Sequence, residues 1–174
     1  MATRIFGSGI MRREDPRLIT GQAKYTDDLV LPRMAHLSVV RSPYANARLK
    51  SVDTSKAKAM PGVLGVFTGA DLKNAGFGNI PCAWVVPNSE TKTPAYPPVA
   101  IDRVRYVGNA VAIVIAKDRY QARDAADAVL VDYEPLGAVS DAWKAAQPGA
   151  PIVHDDVPGN VCFHWTVAGG DTAA

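Results

Sequence analysis

Tyr106-Val-Gly-Asn-Ala-Val-Ala-Ile-Val-Ile-Ala-Lys-Asp118, running on through Arg119 to Glu134, is the stretch whose reading decides the fold. Ala110 to Ala116 is the longest unbroken apolar run in the chain, seven residues with Val111, Ile113, Val114 and Ile115 among them. A run that short and that β-branched predicts a strand covered on both faces, not a membrane helix. A helix follows directly. Asp118 is placed to accept the free N–H groups of the first turn, and Gln121 is placed to reach back in a capping box. Ala122, Ala125, Ala126 and Val129 recur at helical spacing, a stripe of small residues that lets a helix lie close on a sheet. Val129-Leu-Val-Asp-Tyr-Glu134 then reads as a strand closed by Pro135. Strand, alanine-striped helix and strand make a packing core with no evident chemistry of its own.

Upstream, Met34 to Arg41 reads as a strand, Pro43 turns the chain, and Leu49 to Val52 continues extended. Asp53-Thr-Ser-Lys-Ala-Lys-Ala-Met60 predicts a short helix that Pro61-Gly62 stops. Val63 to Phe67 reads as a buried strand, Gly69 to Leu72 as a turn of helix, and Gly108-Asn109 as the tight turn that lets the central strand enter its sheet. The mixed charges around Pro16 predict an extended segment held by ion pairs, with a turn near Gly21 and a short strand around Tyr25; residues 1–11 read as a loose arm. Residues 74–98 hold five of the thirteen prolines, with Trp84 and Tyr96 between them. Such a segment forms neither a continuous helix nor a central strand. It is either a surface excursion or a loop with a binding or covering task, bordering a substrate funnel or a partner.

Beyond Pro135 the texture changes to turns, with one short helix around Asp141 to Ala146. Val161-Cys-Phe-His-Trp-Thr-Val167 is strongly β-prone, and Gly169 to Ala174 reads as a turn, an N-cap at Asp171 and the first residues of a helix. An apolar strand in that position wants ladder partners from polypeptide outside this chain.

The 174 residues, 48% apolar and 21% charged, are those of a globular domain with tails, and a net charge of +2 gives no argument for nucleic acid. No leader and no membrane span is legible, which makes a soluble cytoplasmic protein the expectation. Cys82 and Cys162 form no CxxC pair and read as free thiols. His36, His154 and His164 have no metal-ligand spacing, and His154-Asp-Asp156 reads as a solvated loop before a cation site. Glu14, Glu90 and Glu134 have no carboxylate partner at a meaningful spacing, and there is neither GxGxxG nor GxxxxGK[ST]. Trp165 suits stacking on a ligand and filling a core equally. No catalytic, cofactor-binding or metal-ligating residue is assigned.

Four blocks, in order, resemble one family: Arg13 to Asp28, Val40-Arg-Ser-Pro-Tyr-Ala-Asn-Ala-Arg48, Asp53 to Gly62, and Val107 to Tyr120 together with Val131-Asp-Tyr-Glu-Pro135. They are similar to the opening of the molybdenum-binding large subunit of the xanthine dehydrogenase/aldehyde oxidase superfamily, in its bacterial carbon monoxide dehydrogenase branch. Asn109 departs from the glutamine or other long polar residue that the family often carries, which implies a local change only. The resemblance implies an α+β fold, the α/β-hammerhead, a mixed sheet with packed helices followed by an extended connector. It divides the chain into an arm (1–17), the hammerhead (18–137), and a connector and first strand (138–174) leading into a molybdenum-binding domain not in this chain.

The same resemblance implies the structural and assembly portion of a heteromeric oxidoreductase, not catalytic by itself. A molybdenum–pyranopterin dinucleotide would sit in the complete large subunit, with [2Fe–2S] clusters and FAD on partner subunits or domains and no cofactor on this chain alone. The expected partners are the remainder of the molybdenum-binding subunit, as the same or a separate chain, and the iron–sulfur and FAD subunits. The alternative is a stand-alone protein-interaction module with the same fold and no enzymatic activity.

Overall fold

The structure, a computed structural model, describes residue 7, residues 9–166 and residues 168–170. It divides into two compact units, Met1–Met34 and Ala35–Ala174.

In the first unit, residues around Pro16 form a helix, α1 (Asp15–Ile19), not an extended segment. Proline near a helix start loses nothing, because its missing N–H would have been unpaired there. The expected ion pairing includes an exposed contact of 3.4 Å between Arg12 and Asp15. The turn at Gly21 forms, with the amides of Gln22 and Ala23 both donating to the Arg17 carbonyl. The strand expected around Tyr25 does not form. A single 3-10 turn, Thr26–Asp28, takes its place, pinned by the Tyr25 amide donating to the Asp28 carboxylate at 2.9 Å. The arm read over residues 1–11 lies mostly outside the described residues, and so does the helix start at Asp171.

In the second unit, β1 (His36–Arg41) is followed by β2 (Ala47–Asp53), α2 (Ser55–Lys58), β3 (Val63–Thr68) and α3 (Gly69–Asn74). Next come β4 (Arg103–Val104), β5 (Ala110–Ala116), α4 (Arg119–Asp127), β6 (Leu130–Pro135) and α5 (Ala142–Ala145). Two three-stranded sheets result, ordered β1-β5-β3 and β4-β2-β6, and each ladder is antiparallel. The apolar run is thus the middle strand of its sheet, while the strand after α4 crosses to the other.

Alternation along β5 divides the packing. Ala112 and Val114 turn to α4, where they meet Val66, Ala57, Ala125, Ala126 and Val129. Val111 goes into a second cluster with Ala47, Ala100 and Val104 on the β4-β2-β6 sheet. Val52 and Val131 touch both clusters and join them. Val111 and Val114 are fully buried, each contributing roughly 1.5–3 kcal/mol relative to exposure. The expectation of a strand covered on both faces fails at Ile113 and Ile115. These two look away from α4 into an open apolar groove, and β3, expected buried, is exposed at Leu64 and Phe67.

Local signals explain the helix ends. Asp118 Oδ1 accepts the amides of Tyr120 and Gln121, both at 2.9 Å, as the sequence predicts. The reciprocal half of the box is missing because the Gln121 amide packs against Gly62 instead. A reciprocal box is present on α3: Asp71 N–H donates to Thr68 Oγ1, and Thr68 N–H donates to Asp71 Oδ2. The Thr68-x-x-Asp71 spacing was its signal. Gly108, with φ +88°, completes a turn closed by Asn109 N–H donating to the Tyr106 carbonyl at 3.1 Å.

Candidate functional site

Three features of the second unit have the build of functional surfaces. The first is a polar clamp on β4. Arg103, on that strand, and Arg105, one residue past its end, keep to one face because side chains alternate along extended backbone. Arg103 Nε donates to Asn46 Oδ1 at 2.8 Å and its Nη2 to the Ile152 carbonyl at 2.7 Å. Arg105 Nε donates to the Val153 carbonyl at 3.2 Å. Asn46, itself buried, passes the link on to the Gly137 carbonyl, and buried Asn109 accepts the Arg105 amide at 3.1 Å. Two guanidinium groups therefore staple the segment after β6 onto the β4-β2-β6 sheet. Asp155 adds a 3.4 Å contact to Arg103 from an exposed position, where an ion pair is worth little.

His154 completes this clamp. Burial, reinforced by the Arg105 and Arg103 charges, pushes its pKa below the usual imidazole range, while Asp156 and Asp155 pull the other way. It is an imidazole held toward its neutral form beside arginines. Among the described residues no three of His, Cys, Asp and Glu come together in a way that would hold a metal ion.

The second feature is the prolyl stretch, 74–98. It is not free. Ile80 N–H donates to the Tyr96 carbonyl at 2.8 Å, closing the stretch on itself, and the Tyr96 and Tyr106 hydroxyls meet at 2.9 Å. Buried Val86 sits above a knot in which Thr91 Oγ1 accepts the Val86 amide and Ser89 Oγ donates to the Val86 carbonyl. Lys92 N–H donates to the Cys162 carbonyl at 2.9 Å, and Trp84 meets Trp165 edge-on with centroids 5.4 Å apart. This loop is the partner of Val161 to Thr166, which form no strand. β-propensity measures fit to a pleated neighbour, and no strand lies beside this segment among the described residues. Trp165 stacks on the loop, not on a core.

The third feature is the groove over the face of β1-β5-β3 opposite α4, a concavity of about 960 Å³. Register sets its floor: Leu37 pairs with Ile115 and Phe67 with Ile113. The Phe67 ring lies over Gly65, where any β-carbon would collide with it.

The other candidate residues remain apart. His36 pairs with Ala116 at the end of β1, Glu134 pairs with Arg48 in β6, and Cys82 and Cys162 are free thiols. No local cue marks the arginine clamp, because its acceptors are the Asn46 side chain and two carbonyls almost fifty residues away.

Two antiparallel sheets, an alanine-striped helix packed on one of them and a stapled connector define an α+β hammerhead domain. Residues 20–137 match the family model described as the aldehyde oxidase and xanthine dehydrogenase a/b hammerhead domain, and the chain belongs to that family. It is 42% identical over 158 residues to the carbon monoxide dehydrogenase large chain of Afipia carboxidovorans, covering 90% of this chain and 18% of that one. To the xanthine dehydrogenase molybdenum-binding subunit of Escherichia coli O157:H7 it is 33% identical over 161 residues, 92% of this chain and 21% of the other. Among solved structures, quinoline 2-oxidoreductase from Pseudomonas putida 86 superposes with a TM-score of 0.77 at 40% identity, over 90% of this chain and 19% of that one. The chain spans about a fifth of the length of the curated relatives it matches.

Proposed function

We propose that this chain is the hammerhead portion of a molybdenum-dependent hydroxylase large subunit, with a structural and assembly role and the reacting centre on other polypeptide. The observation that carries this reading is the 42% identity to a carbon monoxide dehydrogenase large chain, sustained over 90% of this chain. When bound in the complete subunit, the molybdenum–pyranopterin centre supplies hydroxylation with oxygen from water. No step of the reaction is assigned to the described residues. Electrons would leave through [2Fe–2S] clusters to FAD on partner subunits or domains. A cytoplasmic location goes with this reading; no helix among the described residues is long and apolar enough to cross a membrane.

In this role the hammerhead acts through rigidity. Its two cores fix the sheets, and the Arg103 and Arg105 staples set the direction in which the chain leaves toward the later domains. The test is the mass of the native polypeptide together with its metal content. A subunit several times longer than 174 residues carrying stoichiometric molybdenum is the expected result. A stand-alone interaction module is the second reading, and the open apolar groove is the observation on its side. A native polypeptide ending at Ala174, with no molybdenum-bearing companion chain, decides for that module.

A further inference from the structure

We propose that the groove on the β1-β5-β3 sheet is the seat of an apolar ridge, a helix or loop crest, contributed by the remaining polypeptide of the large subunit. The inference rests on the reading above and assigns that polypeptide its docking surface. Leu37 is 60% exposed, Leu64 57%, Phe67 40% and Phe77 63%, and they surround Ile113 and Ile115. Scattered exposed apolar residues need no explanation, but a contiguous set with polar residues at its rim marks a contact surface.

The second unit's other segments are engaged elsewhere. α4 covers the opposite face of this sheet, the connector is stapled to the other sheet through Ile152 and Val153, and the prolyl stretch, whose two ends supply Phe77 and Pro98 to the groove's lining, turns its middle to Cys162 and Trp165. A second copy of the same face suits the shape poorly. An isologous contact must be self-complementary, whereas a concave trough walled by α3 and floored by the sheet takes a convex partner. A small ligand suits the chemistry poorly, because such pockets orient their ligands with convergent polar groups. The carboxylate in this lining, Asp71, is already engaged in capping α3. What remains is an apolar protein segment, and the relatives have about four-fifths of their length outside the part this chain matches.

The experiment is side-chain footprinting of the intact large subunit in its native complex, with Tyr120, 76% exposed on the opposite side of the sheet, as internal reference. With each rate corrected for the intrinsic reactivity of its side-chain type, Leu37, Leu64, Phe67 and Phe77 are expected to label about tenfold or more slowly than Tyr120, as groups reached only through opening do. The paired variant Leu37→Glu/Leu64→Glu is expected to lower the yield of assembled, molybdenum-loaded subunit, while the control Leu130→Glu, at a similarly exposed site on β6, leaves it unchanged. Groove residues labelling as fast as Tyr120 in a molybdenum-loaded subunit overturn the inference and leave the functional reading standing. Protection that disappears on dilution to the monomeric subunit overturns it in favour of a second copy. Protection that appears only when a small apolar ligand is added overturns it in favour of a ligand pocket. A native polypeptide of 174 residues without molybdenum overturns the functional reading itself, and the metal assay separates that outcome from the others.

Discussion

The Gln121 amide occupies the space that a β-carbon on Gly62 would need. Gly62 ends the turn after α2 with φ +80°, its carbonyl accepts the Lys117 amide at 2.9 Å, and Gln121 comes down on it from α4. One glycine thus joins α2, the end of β5 and α4. Gly62→Ala is expected to destabilise on two counts: the left-handed backbone costs an L-residue about 1–2 kcal/mol, and the displaced amide adds to that. Gly62→Ala combined with Gln121→Ala should recover the second part and not the first, as a double-mutant cycle by urea denaturation would show. Gln121 Oε1 is buried without a hydrogen-bond partner among the described residues. Gln121→Leu alone should therefore be neutral, or stabilising by about 1 kcal/mol, through removal of a desolvated acceptor.

The arginine clamp predicts a local effect larger than a global one. Arg103→Lys keeps the charge but loses the fork that reaches Asn46 and the Ile152 carbonyl together. Both acceptors are left short of a donor, at about 1–3 kcal/mol for each that stays dry. Amide exchange at residues 150–157 should rise sharply while β5 stays protected. Equal loosening of β5 would show that the clamp belongs to the core instead of to the connector.

A pH effect follows from His154. Its folded-state pKa lies below the ordinary 6.5 because burial, and then Arg105, disfavour the charged ring. Between the folded value and 6.5 the unfolded chain binds the proton more readily, so stability falls as pH falls through that window. His154→Gln should flatten this slope. Asp53 and Asp71 titrate below 3.8, each held down first by a side-chain hydrogen bond, from Ser55 and Thr68 respectively. Their contributions are present above 3.8 and are lost only in stronger acid, so they do not mask the histidine. Urea denaturation at pH 7.5 and pH 5.5 checks the prediction, and an unchanged slope in the variant would refute it.

What the sequence made legible follows from what is local. The β5 run, the Asp118 cap and the alanine stripe of α4 are each written within a few residues, and all three stand in the structure. The uncovered side of β5 was not legible, since Ile113 and Val114 are equally apolar and only the tertiary fold decides which of them α4 covers. Val161 to Thr166 misled for the converse reason: β-prone residues make a strand only beside another strand, and these meet the prolyl loop. Pro16 misled as well, because a proline that breaks a helix interior also suits a helix start. The arginine staples depend on contacts between distant segments and had no local signature.

The prolyl loop and the segment it holds should come apart together. Trp84 and Trp165 are each 55% exposed, yet their edge-to-face contact joins two segments that share one backbone bond, Lys92 N–H to the Cys162 carbonyl. Such a pair is worth about 0.5–1.5 kcal/mol beyond its buried area. Trp165→Ala should therefore release the loop without unfolding the sheets, with proteolysis appearing between residues 82 and 92 and global unfolding unchanged.

Val114 tests the core by contrast. It is fully buried against α4, and its neighbour Ile113 looks into the groove. Val114→Asp strands a carboxylate among Ala57, Val66, Ala125 and Val129, a cost of about 3 kcal/mol or more, which would consume a large part of a domain's stability. Leu37→Asp, on the other face and 60% exposed within this chain, should lower the midpoint of the large subunit as well, because there the groove is covered by other polypeptide. The two unfolding midpoints, measured on the large subunit, weigh the two faces of one sheet against each other. An unchanged midpoint for Val114→Asp would remove α4 from the core. A large loss for Leu37→Asp in the subunit would show that the groove is filled there.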